Sequence, residues 1–439
     1  MHEYSPRRRI AGGLILLALL LQIAGFSGVV STAVAVSYAL WLAVVLLWRD
    51  IPTRSRRQAG ALIALGVSML LGARLGYGAE VDWPAMLTRN AFVVAMLVGV
   101  SFIGLVGTQG NRGAPGARVT GTGGVLRSWA GVHFLGTILN LSAVFMVGDR
   151  LSRERPLSTP QLLALNRGLS SAALWSPFFA SMGVVIALVP GMQYGYVALA
   201  GFPLAMCAGL FTVVELRRRF DLDDVDGFSL APQSLLMPLG MAVLVMLFHF
   251  WLTPALSIVS IITFLLPSVA LVANLAYGAR YTARRIRQHA MTRLPAMRGE
   301  ISLFLAAGLF TLGLSTLVDA ATPDDWTLFA RFGMPQAMAS LVAIVLSAVI
   351  GLHPIIGVST LASILSLEGS AQTLFAFVAL AGWAVGTAVG PLSGINLSLQ
   401  GRYGVSGFFI MRQNLGYAAM TGALALAAIA ALALRLGLG

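Results

Sequence analysis

The sequence predicts an all-α polytopic membrane protein composed of two structural repeats, and three observations predict it. First, 58% of the 439 residues are hydrophobic and only 10% are charged, a balance outside that of soluble domains. Second, apolar runs long enough to cross about 30 Å of hydrocarbon recur along the chain. Third, one pair of polar segments interrupted by Gly and Pro occurs twice, so each repeat is expected to carry a re-entrant hairpin and a broken transmembrane helix.

Apolar runs occur along both halves of the chain. Those of the first half predict spans at 10–26, 28–48, 58–75, 90–107, 168–190 and 194–214. Those of the second half predict spans at 234–252, 255–277, 301–319, 334–350, 371–399 and 416–436. Charge, Gly and Pro cluster between the halves, as is typical of a boundary. We therefore expect a first repeat at 1–216, a cytoplasmic linker at 217–233 and a second repeat at 234–439.

A polar segment interrupts the spans of each half, at 127–147 and at 351–366. These segments contain GVHFLGTILNLSAV, which begins at Gly131, and GLHPIIGVSTLASI, which begins at Gly351. A full crossing at 127–147 would place the arginines that follow on the wrong side of the membrane. A re-entrant hairpin avoids this, because irregular backbone is tolerated at membrane depth where protein buries it. The second half leaves open whether the repeats are inverted or parallel.

A broken helix is expected about 40 residues after each polar segment, a spacing read from the positions of Ser170 and Gly386. The first break is SSAALWSPFFASMG, in which Pro177 removes a helical hydrogen bond. The second is GTAVGPLSGINLS, whose glycines let the backbone approach a ligand closely. Freed carbonyls and hydroxyls suit a cation, whereas the amino-terminal ends of half-helices favour an anion.

The net charge of +13 follows the positive-inside rule rather than a nucleic-acid surface. Arginines in short loops mark the cytoplasmic side at 7–9, 49, 54, 56, 57, 217–219, 280, 284, 285, 287, 293 and 298. Acidic residues mark the opposite side at Glu80, Asp82, Asp319, Asp324 and Asp325. We expect a multi-pass protein of the bacterial inner membrane with both termini in the cytoplasm.

Several classes of protein are excluded by composition. All 29 basic residues are arginine, so a P-loop lysine and a Schiff-base lysine are both absent. The single cysteine, Cys207, excludes a disulfide or a cysteine cluster within one chain. No convergent catalytic set is evident, so we expect no enzyme and no cofactor beyond Na⁺ or H⁺ as a coupling ion.

Polar, discontinuous helices at matched places in two halves are how secondary transporters build a binding site near the bilayer midplane. No carboxylate lies at the centre of a predicted span, which favours a small anion as substrate over a cation. We expect a secondary active transporter for a small anion, with a carboxylate as the leading class, coupled to Na⁺ or H⁺. A cation/proton antiporter, a channel and a membrane-embedded enzyme are the alternatives.

Candidate site residues come from the polar segments and the breaks. The substrate-binding set is His133, Thr137, Asn140, Ser142, Ser176, Pro177, His353, Ser359, Thr360, Thr387, Pro391, Ser393 and Asn396. A Na⁺ site is predicted near Asn140, Ser171, Gly390 and Asn396. His133 and His353 occupy equivalent sequence positions, which suits proton coupling or anion contact, or a structural hydrogen bond. Arg412, with Gln413 and Asn414, is a second anion candidate, and Arg167 is expected to anchor the chain at the membrane interface.

The order of spans, hairpin, broken helix and span, repeated twice, resembles the ion transporter superfamily. That group includes divalent-anion/sodium symporters, the large subunit of TRAP transporters, and arsenite and sodium/proton antiporters. Its hairpin tips carry Ser-Asn-Thr type triplets, where this chain has Leu139–Ser142 in one hairpin and Ser359 and Thr360 in the other. The resemblance implies a scaffold domain, a mobile domain that holds the hairpins, and an elevator motion. The partners expected are the lipid bilayer, the anionic substrate and a second copy of the chain, without nucleic acid; an accessory subunit stays open.

Overall fold

A computed structural model describes residues 5–26, 28, 31–84, 86–106, 119–153, 155–228, 233–322 and 327–439. These residues form helices, short 3₁₀ and π-helical turns and loops, with no strand among them. The helices are α1 Pro6–Gly25, α2 Ala33–Leu47, α3 Thr53–Tyr77, α4 Ala91–Ser101, α5 Gly121–Leu139, α6 Leu141–Leu151, α7 Thr159–Ala172, α8 Ala180–Leu188, α9 Tyr194–Arg219, α10 Gln233–Leu247, α11 Ile258–Leu275, α12 Ala279–Ala296, α13 Arg298–Ala321, α14 Met334–Val349, α15 Pro354–Ile364, α16 Ser370–Val389, α17 Gly394–Tyr403 and α18 Gly407–Arg435.

Membrane spans are identified by helix length and apolar composition. Eight helical segments of the described chain meet both conditions: Pro6–Gly25, Ala33–Asp50, Thr53–Tyr77, Tyr194–Arg219, Ile258–Leu275, Arg298–Ala321, Ser370–Tyr403 and Gly407–Arg435. Several other predicted spans are shorter apolar helices. The all-α polytopic membrane fold predicted from the sequence is confirmed.

The helix boundaries differ from the predicted ones in three places. The second hairpin is formed by α14 and α15, so 334–350 is its first arm and not a separate span. Its turn lies at 350–353, where Gly351 has φ +105° and Pro354 begins the next helix. The basic segment after α11 is the helix α12 rather than a loop, and α18 begins nine residues before the predicted span. Asp324 and Asp325 and the linker residues 229–232 lie outside the described residues.

The chain divides into two compact units, and each unit takes segments from both halves of the sequence. Unit 1 comprises Met1–Asn111 and Met241–Thr327, and unit 2 comprises Arg112–Gly240 and Leu328–Gly439. The two predicted repeats, joined by the 217–233 linker, were defined by similarity between the halves of the sequence. The compact units are defined by packing, so they do not test the repeats, which stay a prediction.

Unit 1 contains α1–α4 and α11–α13. Helices α3 and α13 cross closely because neither has a side chain at the crossing point. A Cβ atom placed on Gly66 would lie 2.9 Å from the carbonyl oxygen of Leu309, and Gly313 faces the backbone of Gly66 in turn. At one end of the unit, the Asp50 carboxylate accepts hydrogen bonds from Arg7 at 2.9 Å and from Arg8 at 3.0 Å.

Gly66→Val is expected to destabilise the protein by about 1–3 kcal/mol, because its added atoms would overlap the backbone of α13. The matched control is Gly72→Val on the same helix, where a Cβ atom would meet only the Leu317 side chain at 3.9 Å. The midpoint of thermal unfolding in detergent measures both effects. Equal midpoints for the two variants would show that the α3–α13 crossing tolerates separation.

Unit 2 contains α5–α9 and α14–α18, in an order that occurs twice. In each set a helix hairpin (α5/α6 or α14/α15) is followed by an interrupted helix (α7/α8 or α16/α17) and then by a long helix (α9 or α18). Helix α16 lies at the core of the unit, since almost all of its side chains are buried. Both hairpins and both helix breaks therefore belong to one compact unit.

Candidate functional site

The tip of the first hairpin is a single residue, Asn140, between α5 and α6. Its backbone has φ +49°, a region that non-glycine residues adopt at a cost. The Asn140 side chain reaches the break of the interrupted helix: Nδ2 donates to the carbonyl of Phe178 at 3.2 Å, and Oδ1 accepts from the N–H of Ala180 at 3.3 Å. The carboxamide therefore clamps the hairpin tip onto the start of α8.

Ser176 makes a second link between this tip and this break. Its hydroxyl donates to the carbonyl of Thr137 at 2.7 Å and accepts from the N–H of Phe178 at 3.2 Å. Pro177 follows directly, and its missing N–H ends the helical pattern there. The structure thus brings together the predicted residues Thr137, Asn140, Ser176 and Pro177, with Ser142 in the first turn of α6.

His133 lies inside α5, fully buried, and both of its ring nitrogens are bound by the protein. The indole N–H of Trp175 donates to Nε2 at 3.2 Å, so a neutral ring carries its proton on Nδ1. That proton faces the Ser171 hydroxyl at 2.9 Å and the Gly168 carbonyl at 3.3 Å. These contacts hold the side chains of His133 and Ser171 in place. A direct role of either residue in binding or coupling stays a prediction.

The tip of the second hairpin also lies against a helix break. Pro354 and Ala348 pack on Gly386, where an added Cβ atom would lie 3.0 Å from the Cγ of Pro354. A Cβ atom on Gly351 would lie 3.1 Å from the Cδ1 of Leu392, inside the break of α16/α17. The same combination of hairpin tip and helix break therefore occurs in both halves of unit 2.

His353 stands at this tip and differs from His133 in its contacts. Its Nδ1 accepts the backbone N–H of Ile355 at 3.2 Å and so caps α15. A neutral ring then carries its proton on Nε2, for which no acceptor exists among the described residues. The two histidines are thus not equivalent in three dimensions: His133 lies within a helix arm, whereas His353 offers a donor at a tip.

Ser359 and Thr360 belong to the second hairpin, as predicted, and lie in the body of α15 rather than at its tip. The Thr360 hydroxyl donates to the carbonyl of Ile356 at 2.8 Å. The Ser359 hydroxyl is fully buried and has no partner among the described residues. Gly351 and Pro354, rather than the hydroxyl pair, form the turn of this hairpin, and substrate contact by Ser359 or Thr360 stays a prediction.

The carbonyls freed at the break of α16/α17 are occupied by side chains. The Ser393 hydroxyl donates to the carbonyl of Thr387 at 2.7 Å, and Asn396 Nδ2 donates to the carbonyl of Gly390 at 2.9 Å. Pro391 lies between these two groups. A cation at Gly390 and Asn396 would have to bind the remaining lone pairs of capped carbonyls.

The four predicted Na⁺ ligands take part in three separately bonded groups. Gly390 and Asn396 contact each other, Asn140 contacts the first break, and Ser171 contacts His133. Within the described residues there is also no cluster of three or more His, Cys, Asp or Glu side chains placed to hold a metal. The structure assembles local polar groups at each break, and Na⁺ binding stays a prediction.

A buried network of hydrogen bonds leads from Arg167 to Asn396 at the second break, and the sequence did not predict it. Arg167 Nε donates to Asn414 Oδ1 at 2.8 Å, and Asn414 Nδ2 donates to Asn166 Oδ1 at 2.9 Å. Asn166 Nδ2 then donates to Asn396 Oδ1 at 2.7 Å. Because arginine has only donors, it fixes the orientation of each carboxamide in turn. Asn396 is thereby held with its NH₂ group toward the break.

The sequence suggested that Arg167 anchors the chain at the membrane interface. This was wrong, because Arg167 is a fully buried cation. It pairs with Glu215 of α9 at 2.5 Å, and its guanidinium lies 4.7 Å from the centre of the Tyr417 ring. Arg219 binds the other carboxylate oxygen of Glu215 and also Gln413. Arg412 is exposed, so the Arg412–Asn414 segment is split between solvent-facing and buried roles.

A pair of asparagine substitutions separates the roles of the two histidines. His353→Asn retains an acceptor that can cap α15 but removes the Nε2 donor, so we expect an unchanged thermal midpoint and anion binding weakened by about tenfold. His133→Asn disturbs the bonds to Trp175 and Ser171, so we expect a lower midpoint without ligand. Thermal unfolding with and without a bound anion measures both quantities. The opposite pattern would place the ligand contact at His133.

The chain was compared with known proteins. No protein-family model and no curated protein matches it. Among solved structures, a YdaH transporter from Alcanivorax borkumensis, described as having an unusual topology, is similar to this chain. The two are 16% identical, the similarity covers 85% of this chain and 88% of the other, and the TM-score is 0.42. A likeness at this level assigns neither a family nor a function to this chain.

Proposed function

We propose that the protein is a secondary active transporter that moves a small anion, with a carboxylate as the leading class, across a bacterial inner membrane. The observation that carries the proposal is the contact between a hairpin tip and a helix break, made twice in unit 2. Asn140 bonds to residues of the first break, and Pro354 packs on Gly386 at the second. Such discontinuous helices form the binding sites of secondary transporters.

The chemistry of the tips and breaks favours an anion. Helices α8, α15 and α17 begin at a break or a tip, and the amino-terminal end of a helix carries partial positive charge. The segments 137–142, 173–181, 350–354 and 386–396 contain hydroxyls, amides and an imidazole but no Asp or Glu. His353 adds an N–H donor for which the described residues supply no acceptor.

Alternating access and ion coupling complete the proposal. Both hairpins belong to unit 2, whereas unit 1 has none among its described residues. This division suits the scaffold and mobile domains that the resemblance to the ion transporter superfamily implies, and with them an elevator motion, related repeats and a homodimer. Na⁺ or H⁺ would supply the driving force, and both termini would be cytoplasmic.

A cation/proton antiporter is less well supported. It would need a buried carboxylate that is available to a cation or a proton. Glu215 is partly buried, with 13% of its side chain exposed, and its two oxygens accept hydrogen bonds from Arg167 and Arg219. We therefore retain the anion transporter as the proposal.

The thermal stability of the detergent-purified protein tests the proposal. The ligands are dicarboxylates, citrate, keto acids, sulfonates, oxyanions and arsenite, each in Na⁺ buffer and in choline buffer. A ligand that binds the folded state raises the unfolding midpoint by mass action. We expect one class of anion to raise the midpoint, and saturable uptake of that anion into proteoliposomes under an ion gradient.

The cation in the buffer distinguishes the coupling ions. An anion effect that requires Na⁺ would support sodium coupling, and one that is equal in choline but depends on pH would support proton coupling. A response to Na⁺ or pH alone, with no anion effect, would overturn the proposal in favour of the antiporter. Uptake that does not saturate with anion concentration would favour a channel.

A further inference from the structure

Helix α12 is a basic helix of unit 1, and its inner face packs against α1 and the end of α4. Gly12 of α1 lies against the carbonyl of Ala290. His289 Nε2 lies 2.9 Å from the Ser101 hydroxyl, and its ring lies 4.6 Å from that of Phe102. Burial, together with the nearby cations Arg293 and Arg285, lowers the pKa of His289 to about 4. The imidazole is therefore neutral at physiological pH, and the charge of α12 comes from its arginines.

The outer face of α12 carries an arginine stripe, which we define as Arg280, Arg284 and Arg287. Spacings of four and three residues place these side chains on one face of a helix. All three are exposed, and none has an ion-pair partner among the described residues. By contrast, Arg7 and Arg8 at another part of unit 1 share the Asp50 carboxylate. The stripe is thus an unneutralised run of positive charge.

The stripe begins where the apolar surface of a membrane span ends. On α11, the side chains of Val272 and Leu275 are 68% and 46% exposed, as expected for residues that face lipid. Tyr277 follows, 64% exposed, with its ring 5.8 Å from that of Tyr281. Tyrosines mark the interfacial zone of a bilayer. A bilayer crossed by α11 would therefore have its headgroups beside the start of the arginine stripe.

We propose that the arginine stripe binds the phosphodiester headgroup of an anionic phospholipid. Guanidinium groups bind phosphate oxygens through paired N–H donors, and a basic segment beside a membrane attracts anionic lipid. The adjacent exposed residues of α11 would contact the acyl chains of the same lipid. The proposal concerns unit 1 and does not depend on the transport activity of unit 2.

The full-length protein in a zwitterionic detergent tests it. Phosphatidylglycerol is titrated, with phosphatidylcholine of identical acyl chains in parallel, and the midpoint of thermal unfolding is recorded. We expect phosphatidylglycerol alone to raise the midpoint. The triple variant Arg280→Gln/Arg284→Gln/Arg287→Gln should need at least about ten times more phosphatidylglycerol for half of the effect. Its midpoint without lipid should match the wild type, because the three side chains are exposed.

The matched control removes three exposed arginines from unit 2: Arg153→Gln/Arg217→Gln/Arg218→Gln. It should respond to phosphatidylglycerol within about twofold of the wild type if the arginine stripe is the site. Equal weakening in both triple variants would overturn the proposal, because it would reflect net charge alone. Equal stabilisation by phosphatidylcholine, or by inorganic phosphate at the same concentration, would also overturn it.

Discussion

Glu215→Gln is expected to lower the free energy of unfolding by about 3–5 kcal/mol, the range measured when one partner of a buried ion pair is removed. Arg167 is fully buried and pairs with this carboxylate at 2.5 Å. Glutamine keeps the shape and one acceptor but removes the negative charge, so the Arg167 cation stays buried without a counter-charge. Thermal unfolding in detergent and the abundance of the protein in the membrane measure the loss.

The control is an arginine–carboxylate pair at the surface. Arg402 and Asp149 form an ion pair at 2.7 Å, with side chains that are 57% and 41% exposed. Asp149→Asn should cost only about 0.2–1 kcal/mol, because water replaces the lost partner. The double variant Arg167→Met/Glu215→Met should recover part of the stability lost in Glu215→Gln, since no fully buried charge remains, although Asn414 Oδ1 loses its donor. Equal losses in Glu215→Gln and Asp149→Asn would show that the buried pair is not a stabilising element.

The buried pair illustrates what the sequence could not predict. The positive-inside rule assigns an arginine near a span end to the interface, and it did so for Arg167. The partners of Arg167 lie far away in the chain, at Glu215, Gln413 and Asn414, and no spacing rule links them. Asn166 and Glu215 were missed for the same reason. One signal in the sequence could have indicated this network: polar side chains lie next to the predicted ends of the broken helix.

Local backbone chemistry was more predictive. Pro177 and the Gly390–Pro391 pair located both helix breaks, since proline and glycine act on the residues beside them. The first hairpin was predicted because a full crossing at 127–147 would place the following arginines on the wrong side of the membrane. The second hairpin was displaced because α14 is apolar and resembles a span, although its 16 residues cover only about 24 Å at 1.5 Å per residue. Helix length was thus the missing criterion.

The unit boundaries lay beyond sequence patterns for a physical reason. Each unit combines helices from both halves of the chain, so compactness depends on packing between distant segments. The close crossing of α3 and α13 needs Gly66 and Gly313 to face each other across 247 positions. Hydropathy records which helices prefer lipid, but it carries no information on which helices pair.

Replacing Asn140 is expected to have the second large effect, on transport. Asn140→Gly removes the two hydrogen bonds that hold the hairpin tip on the break, at about 1 kcal/mol each, so uptake should fall about tenfold or more. Glycine adopts φ +49° without strain. Asn140→Ala loses the same bonds and retains the strain, so its thermal midpoint should be lower than that of Asn140→Gly. Uptake of the identified anion into proteoliposomes, at equal protein content, measures the effect.

Asn90→Gly provides the control, because Asn90 also has a positive φ, +61°, and its Nδ2 donates to the carbonyl of Phe304 at 3.1 Å within unit 1. It removes the same side chain from another residue of positive φ, although ψ is 0° at Asn90 and −135° at Asn140, and it lies away from the hairpins. If Asn140 acts as a clamp, Asn140→Gly should lose transport while Asn90→Gly keeps most of it. Equal losses would mean that uptake reports only general loosening of the fold. A wild-type rate of uptake in Asn140→Gly would mean that transport does not require the hairpin tip to be held on the break. The contact between tip and break would then no longer support a binding site there.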